Sequence, residues 1–194
     1  MRRWLYTLAT VIAIIPVIVG VTTATAMSAD AAQAGFATRA YAAGLTNAQV
    51  QGLEQKVSGF IGRYGGTQVA INEVAFHGGS MLFAVPGHNA RDVANASAGT
   101  TVETADSSTC PLGAFCEWDQ YSYSGDRDEF FSCIRFPEPF GGLTGSWKND
   151  QTPQDGTGPQ VKMYIGSMVV YTTPPPWSGN QKWGWRDLTS IKPC

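Results

Sequence analysis

The sequence predicts an all-β body over residues 110–194, preceded over residues 45–88 by a small α+β unit made of a helix and a β-hairpin. Three observations carry this expectation. Short runs of β-branched and aromatic residues alternate with Gly- and Pro-rich turns through the C-terminal part, with no helical period. All four cysteines and all but one of the six tryptophans fall there too. Residues 45–64, in contrast, place apolar side chains at helical spacing.

In chain order, residues 1–26 have the layout of an export signal. Arg2 and Arg3 precede an uncharged run through Ile12, Ile14, Ile15, Val17 and Val19, and Ala24, Thr25 and Ala26 supply a small-residue cleavage site before Met27. The expectation is a secreted, extracellular protein, free of the membrane once the signal is cut. Residues 27–44 are Ala-rich with little periodicity and read as a flexible lead-in.

Helical signals then converge. Thr46 as N-cap with Gln49 three positions on forms a capping box, and Leu45 can pack on Val50 as a hydrophobic staple. Val50, Leu53, Val57, Phe60, Ile61 and Tyr64 make one apolar stripe, and Gly65 and Gly66 end it. Two strand-like runs follow, residues 67–76 and 81–85, joined by a turn at 77–80. The first changes phase between Ile71 and Val74, so a bulge or break is expected near Asn72. A unit this small needs something to dock on. Residues 89–109, rich in Ala, Ser, Thr and Asp, read as a linker.

The segment 110–133 organises the rest. It predicts a strand at 116–119, an aromatic corner, and a second strand at 129–134. Trp118, Tyr123 and Gly125 are spaced so that one ring can cover the corner while Gly takes a backbone angle closed to other residues. This spacing resembles the folded hairpin of βγ-crystallin-like Greek-key proteins. The opening Cys110, Pro111, Gly113, Cys116 resembles the start of the secreted actinobacterial peptidase inhibitor family I36. The resemblance implies a βγ-crystallin-like Greek-key sandwich and covers residues 110–150 best. Further strands are expected at 161–164, 167–172 and 182–185.

Four cysteines in an exported chain imply two disulfides, and three pairings are open. The resemblance favours Cys110 with Cys116 and Cys133 with Cys194. It also suggests a calcium site, for which Asn149 and Asp150 are weak candidates because Pro153 and Gln154 stand where hydroxyls are expected. No other cofactor is implied. Asp119, Asp126, Asp128 and Glu129 form an acidic cluster beside Arg127 that reads as a solvated surface rather than a glycosidase pair.

His77 and His88 are the only histidines and belong to no metal or nucleophile pattern, so no catalytic residue and no enzyme activity is expected. With 13 basic against 15 acidic residues, no basic face for nucleic acid is visible. The resemblance implies a monomeric peptidase inhibitor presenting a rigid loop to an extracellular peptidase, with residues 152–159 and 172–179 as candidate loops. The alternative is a cell-wall or polysaccharide binding module using Trp147, Trp177, Trp183 and Trp185. A calcium-stabilised envelope protein is a third reading.

Overall fold

In the computed structural model, which describes residues 29–100, 108–153 and 158–194, two antiparallel sheets and three helices share a core. The expected export signal and its cleavage point lie outside the described residues. No helix among the described residues is long and apolar enough to cross a membrane.

Residues expected as a flexible lead-in form helix α1 (Ala29–Ala42). Alanine costs the least of any residue to place in a helix, and the face needed for packing is small, with Ala40 wholly buried and Arg39 donating to Ser97 O. Helix α2 (Asn47–Tyr64) follows the expected signals: the Thr46–Gln49 capping box is closed, Val50, Leu53, Val57 and Phe60 are buried, and Gly65 ends it. The expected linker contains a third helix, α3 (Ala90–Ala98), opened by the Asn89 side chain and closed by Gly99 in the left-handed region. Its buried residues are Ala90, Val93, Ala94 and Ser97. Few large apolar residues mark it, so the sequence signal was its two caps. Residues 101–107 of that expected linker lie outside the described residues.

The phase change near Asn72 is a full reversal. Strands β1 (Thr67–Ala70), β2 (Glu73–Phe76) and β3 (Gly79–Leu82) make a three-stranded meander instead of a two-stranded hairpin. Asn72 is wholly buried and donates through Nδ2 to Phe83 O and Ala90 O, so it closes the turn and anchors α3 at once.

The meander finds its docking surface by sheet extension. Strand β3 pairs with β5 (Ser124–Phe130), Met81 facing Asp128 and Gly79 facing Phe130. Strand β5 begins and ends earlier than the expected second strand at 129–134. It pairs in turn with β4 (Phe115–Gln120), then come β7 (Thr144–Asn149) and β10 (Ser178–Gly184), giving one seven-stranded sheet. The second sheet runs β6 (Phe136–Pro137), β11 (Ser190–Lys192), β8 (Lys162–Ile165), β9 (Met168–Thr172). The main core lies between the large sheet's inner face, the small sheet and α2, and includes Phe60, Phe115, Phe130, Phe136, Trp147, Met163 and Trp185.

The corner between β4 and β5 behaves as its residues require. The Trp118 and Tyr123 rings lie 5.3 Å apart, and Ser122 and Tyr123 take positive φ. Gly125 has φ +89°, and a Cβ there would collide with the Asp119 carboxylate. The bridges join Cys110 to Cys116 and Cys133 to Cys194, with Cα separations of 5.7 and 5.3 Å. No cysteine is free, which fits an oxidising, extracellular-type environment.

Gly125→Ala is expected to destabilise the fold by about 2 kcal/mol or more, from the left-handed backbone and the collision. Gly184→Ala, with nothing within 4 Å of the added carbon, should stay within about 0.5 kcal/mol of the parent. Urea unfolding of the two variants checks this; equal midpoints would contradict it.

Candidate functional site

The loop between β9 and β10 is held at both ends and carries one large ring into solvent. Thr173 is wholly buried, with its N–H on Val161 O at 2.9 Å and its Oγ1 accepting from Val161 N–H at 2.9 Å. Pro174, Pro175 and Pro176 then restrict the backbone. Trp177 follows at φ +66° with 63% of its surface exposed. A bulky residue in the left-handed region costs free energy that nothing in the core repays here, since the ring packs on no buried cluster.

What fixes the loop is Asn149. It lies in β7, wholly buried, paired to Phe115 on one side and Ser178 on the other. Its Nδ2 donates to Pro174 O at 3.3 Å and to Pro159 O at 2.9 Å, and its backbone carbonyl accepts the Trp177 N–H at 2.7 Å. The side chain therefore ties the end of the first loop picked out from the sequence to the start of the second, and the backbone carbonyl of the same residue holds Trp177. Of the first loop, residues 154–157 lie outside the described residues.

This placement changes the reading of Asn149 as a calcium candidate. Its carboxamide is turned inward onto loop carbonyls. Asp150 instead pairs through its backbone, donating to Ala114 O and accepting from Gly113 N–H, with its side chain half-buried. Among the described residues, no group of three or more His, Cys, Asp or Glu side chains is arranged to hold a metal.

Beside Trp177 lies an open hollow of about 300 Å³ lined by Tyr123, Lys148, Asp150, Ser178 and Gly179. The Lys148 Nζ sits 4.3 Å from the centre of the Tyr123 ring and donates to Ser108 O. The Asp150 carboxyl is raised by partial burial, with Lys148 acting in the opposite direction. Of the other tryptophans, Trp147 and Trp185 are core, and Trp183 is half-buried, 4.5 Å from the Tyr171 ring. Trp177 is the one tryptophan of the described residues that is exposed.

The ring lies within a charge-free stretch of sequence. No Asp, Glu, Lys, Arg or His occurs between Lys162 and Lys182. Within it, edge strand β9 exposes Met168, Val169 and Val170 and runs directly into the loop. Sequence reasoning marked the loop and its ring, but not the exposure of β9, whose composition also suits a buried strand.

The acidic cluster is neither exposed nor a single cluster. Asp119 and Asp126 border a groove of about 580 Å³ between α2 and the β4–β5 corner. There Asp126 is held by Lys56 at 2.9 Å and by Ala84 N–H at 2.8 Å, and Asp119 accepts from Asp126 N–H. Burial first, then the Asp126 charge, pushes the Asp119 carboxyl up to about 6. Glu129 lies on the outer face, paired with Arg127 at 2.5 Å and with Arg91 of α3 at 2.6 Å; Arg91 also reaches Glu73. Arg127 is itself buried and donates to Thr109 O.

Asp128 points to the opposite, inner face, directly across from Glu117. Glu138, just after β6, reaches the same region and accepts from Phe140 N–H. Glu117 and Asp128 are pushed well up by burial, then by neighbouring carboxyls. Glu138 is raised to about 8, also chiefly by burial. Ionised, Glu117 would have no donor for either oxygen; a proton shared with Glu138 supplies one.

Comparison with protein-family models, curated proteins and solved structures returns no match for this chain.

Two outcomes are expected. Each inner-face carboxyl keeps its proton in the folded chain above the pH where the unfolded chain loses it. Stability is therefore full below about pH 4 and falls with rising pH, by about 1.4 kcal/mol per unit for each such group, until the folded value is passed. Melting temperature should drop from pH 5 to pH 8, and Glu138→Gln should flatten that profile; an unaltered slope in the variant would contradict the assignment. Asn149→Ala should cost about 2 to 3 kcal/mol by leaving buried carbonyls without donors, and should raise hydrogen exchange in residues 173–178 above that in β4.

Proposed function

We propose that this protein is a secreted recognition module that binds an extracellular protein partner, with a peptidase as the target that the family I36 resemblance favours, through the Trp177 loop. The observation that carries the reading is a tryptophan held at positive φ and presented to solvent on a proline-stiffened loop. Strain at a bulky exposed residue points to use, because folding alone gains nothing from it. A loop ordered before binding pays little entropy on docking, the property that makes rigid-loop inhibitors tight. A single exposed tryptophan in a stretch of sequence without charged residues has the composition of an interface hot spot, where charged residues are depleted.

The β-body supports this role by stiffness. A bridge from Cys133 to Cys194 spans 61 positions and ties the chain's end to the region after β5. The short Cys110–Cys116 bridge braces the start of β4. A Greek-key, crystallin-like arrangement of these strands remains part of the proposal. The two antiparallel sheets are compatible with it.

A second reading is glycan binding, and the hollow beside Trp177 favours it specifically. Tyr123, Lys148, Asp150 and Ser178 could supply polar contacts at the edge of a sugar stacked on the ring. The apolar β9 strip in the same stretch suits a protein better than a carbohydrate.

Trp177→Ala is expected to weaken inhibition of a susceptible secreted metallo- or serine peptidase by about thirtyfold or more, with melting temperature unchanged. Retained potency in the variant, or no inhibition of any peptidase alongside retention on insoluble cell-wall glycan, would overturn the peptidase reading.

A further inference from the structure

Four of the carboxylates around β5 differ in their partners: among the described residues, three have a cation beside them, and Asp128 has none. Glu129 and Glu73 pair with arginines and Asp126 with Lys56. Glu117, Asp128 and Glu138 form no ion pair among the described residues, and Asp128 Oδ1 has no hydrogen-bond partner. Asp128 is 1% exposed.

A cavity of about 50 Å³ meets Asp128 at the seam between α2 and the small sheet. Its other walls are Phe60, Tyr64, Phe76, Phe130 and Phe136, closed by Pro137 and Pro139. The rings form a continuous lining: Phe60 lies 4.9 Å from Tyr64 and 6.0 Å from Phe76, Phe76 5.5 Å from Phe136, and Phe136 4.8 Å from Phe130. The strand pleat sets the aim of the carboxyl. Asp128 and Phe130 lie on one face of β5, and Arg127 and Glu129 on the other.

Asp128 and Tyr64 are the only lining residues with polar side chains. Ring faces carry negative potential and attract a cation within about 6 Å of their centres. A carboxyl at the base of an aromatic lining, with no cation of its own, is the complement of a positively charged head. A primary ammonium on an unbranched chain presents a narrow head with N–H donors for the carboxyl, which a quaternary head lacks.

We propose that the seam cavity between α2 and β6 is a binding site for a primary ammonium group, with Asp128 as the counter-ion and Phe60, Tyr64, Phe76 and Phe136 as the enclosing rings. The site stands apart from the Trp177 loop and does not depend on its function. Facing Asp128 are Glu117 from β4 and Glu138 from the segment after β6, with Asp126 and Glu129 on its own strand; Met81 of β3 and Tyr64 of α2 add no charge. Burial and these acids hold the empty site's carboxyl protonated. An ammonium that enters displaces that proton, leaving an ion pair inside the rings.

Titration calorimetry of the intact protein at pH 6 with n-butylammonium chloride, in two buffers of different ionisation enthalpy, tests this. Saturable binding with release of one proton is expected, and neither n-butanol nor tetramethylammonium should compete. Asp128→Asn should abolish binding, and Tyr64→Leu, at the rim, should weaken it roughly two- to fivefold. Nα-acetyl-lysine methylamide separates the sources: if it binds as well, the site takes a lysine side chain of a partner, and if only the alkylamine binds, it takes a free amine. No binding to the folded protein, unchanged affinity in Asp128→Asn, or binding without proton release would overturn the proposal. Should Asp128→Asn fail to fold, equal affinity of parent and Tyr64→Leu would do the same.

Discussion

The buried side chain of Asn149 is the constraint on which the Trp177 loop depends. It is buried at the end of β7, next to edge strand β10, and its amide hydrogens go to carbonyls of two proline-containing loops, while the backbone carbonyl of the same residue takes the amide of Trp177. A buried carbonyl without a donor costs about 1 to 3 kcal/mol, so the clamp converts a sheet residue into the fixed point of a surface loop. The strain at Trp177 is tolerated because neighbours on both sides determine the backbone there.

That clamp works only on a stiff support, and the support is larger than a single C-terminal domain. Strand β5 is the shared member: it pairs with β4 on one edge and with the N-terminal meander on the other. The Arg91, Glu73, Glu129 and Arg127 network crosses the same junction from α3 to β2 and β5, and Lys56 fastens α2 to Asp126. The helix and meander, too small to be stable alone, gain a sheet edge and a core by this arrangement.

How much of this the sequence disclosed depends on where each signal resides. Helix α2 was legible to its caps because capping and periodicity are local. The corner at Trp118, Tyr123 and Gly125 was legible because a positive φ admits few residues. Helices α1 and α3 were missed since their packing faces are alanine and serine, whose contribution comes from close approach rather than from periodic bulk. Strand β7, with sequence TGSWKN, was not among the expected strands. It is a strand because Gly145 allows Trp118 and Trp185 to close on it and Trp147 fills the core beneath. The acidic residues were misplaced for a related reason: exposure was inferred from residue type, whereas the pleat of β5 sends Asp128 and Glu129 into opposite interiors. For the candidate site, the loop at 172–179 was visible from its prolines, but the role of Asn149 was not, because its partners are distant in sequence.

The central claim is that the Trp177 loop is ordered before any partner arrives. Native-state hydrogen exchange at the Trp177 backbone amide tests it most directly. If the bond to Asn149 holds the loop, that amide exchanges as slowly as those of β7. Exchange at the rate of an unstructured peptide, with β7 still protected, would contradict the account.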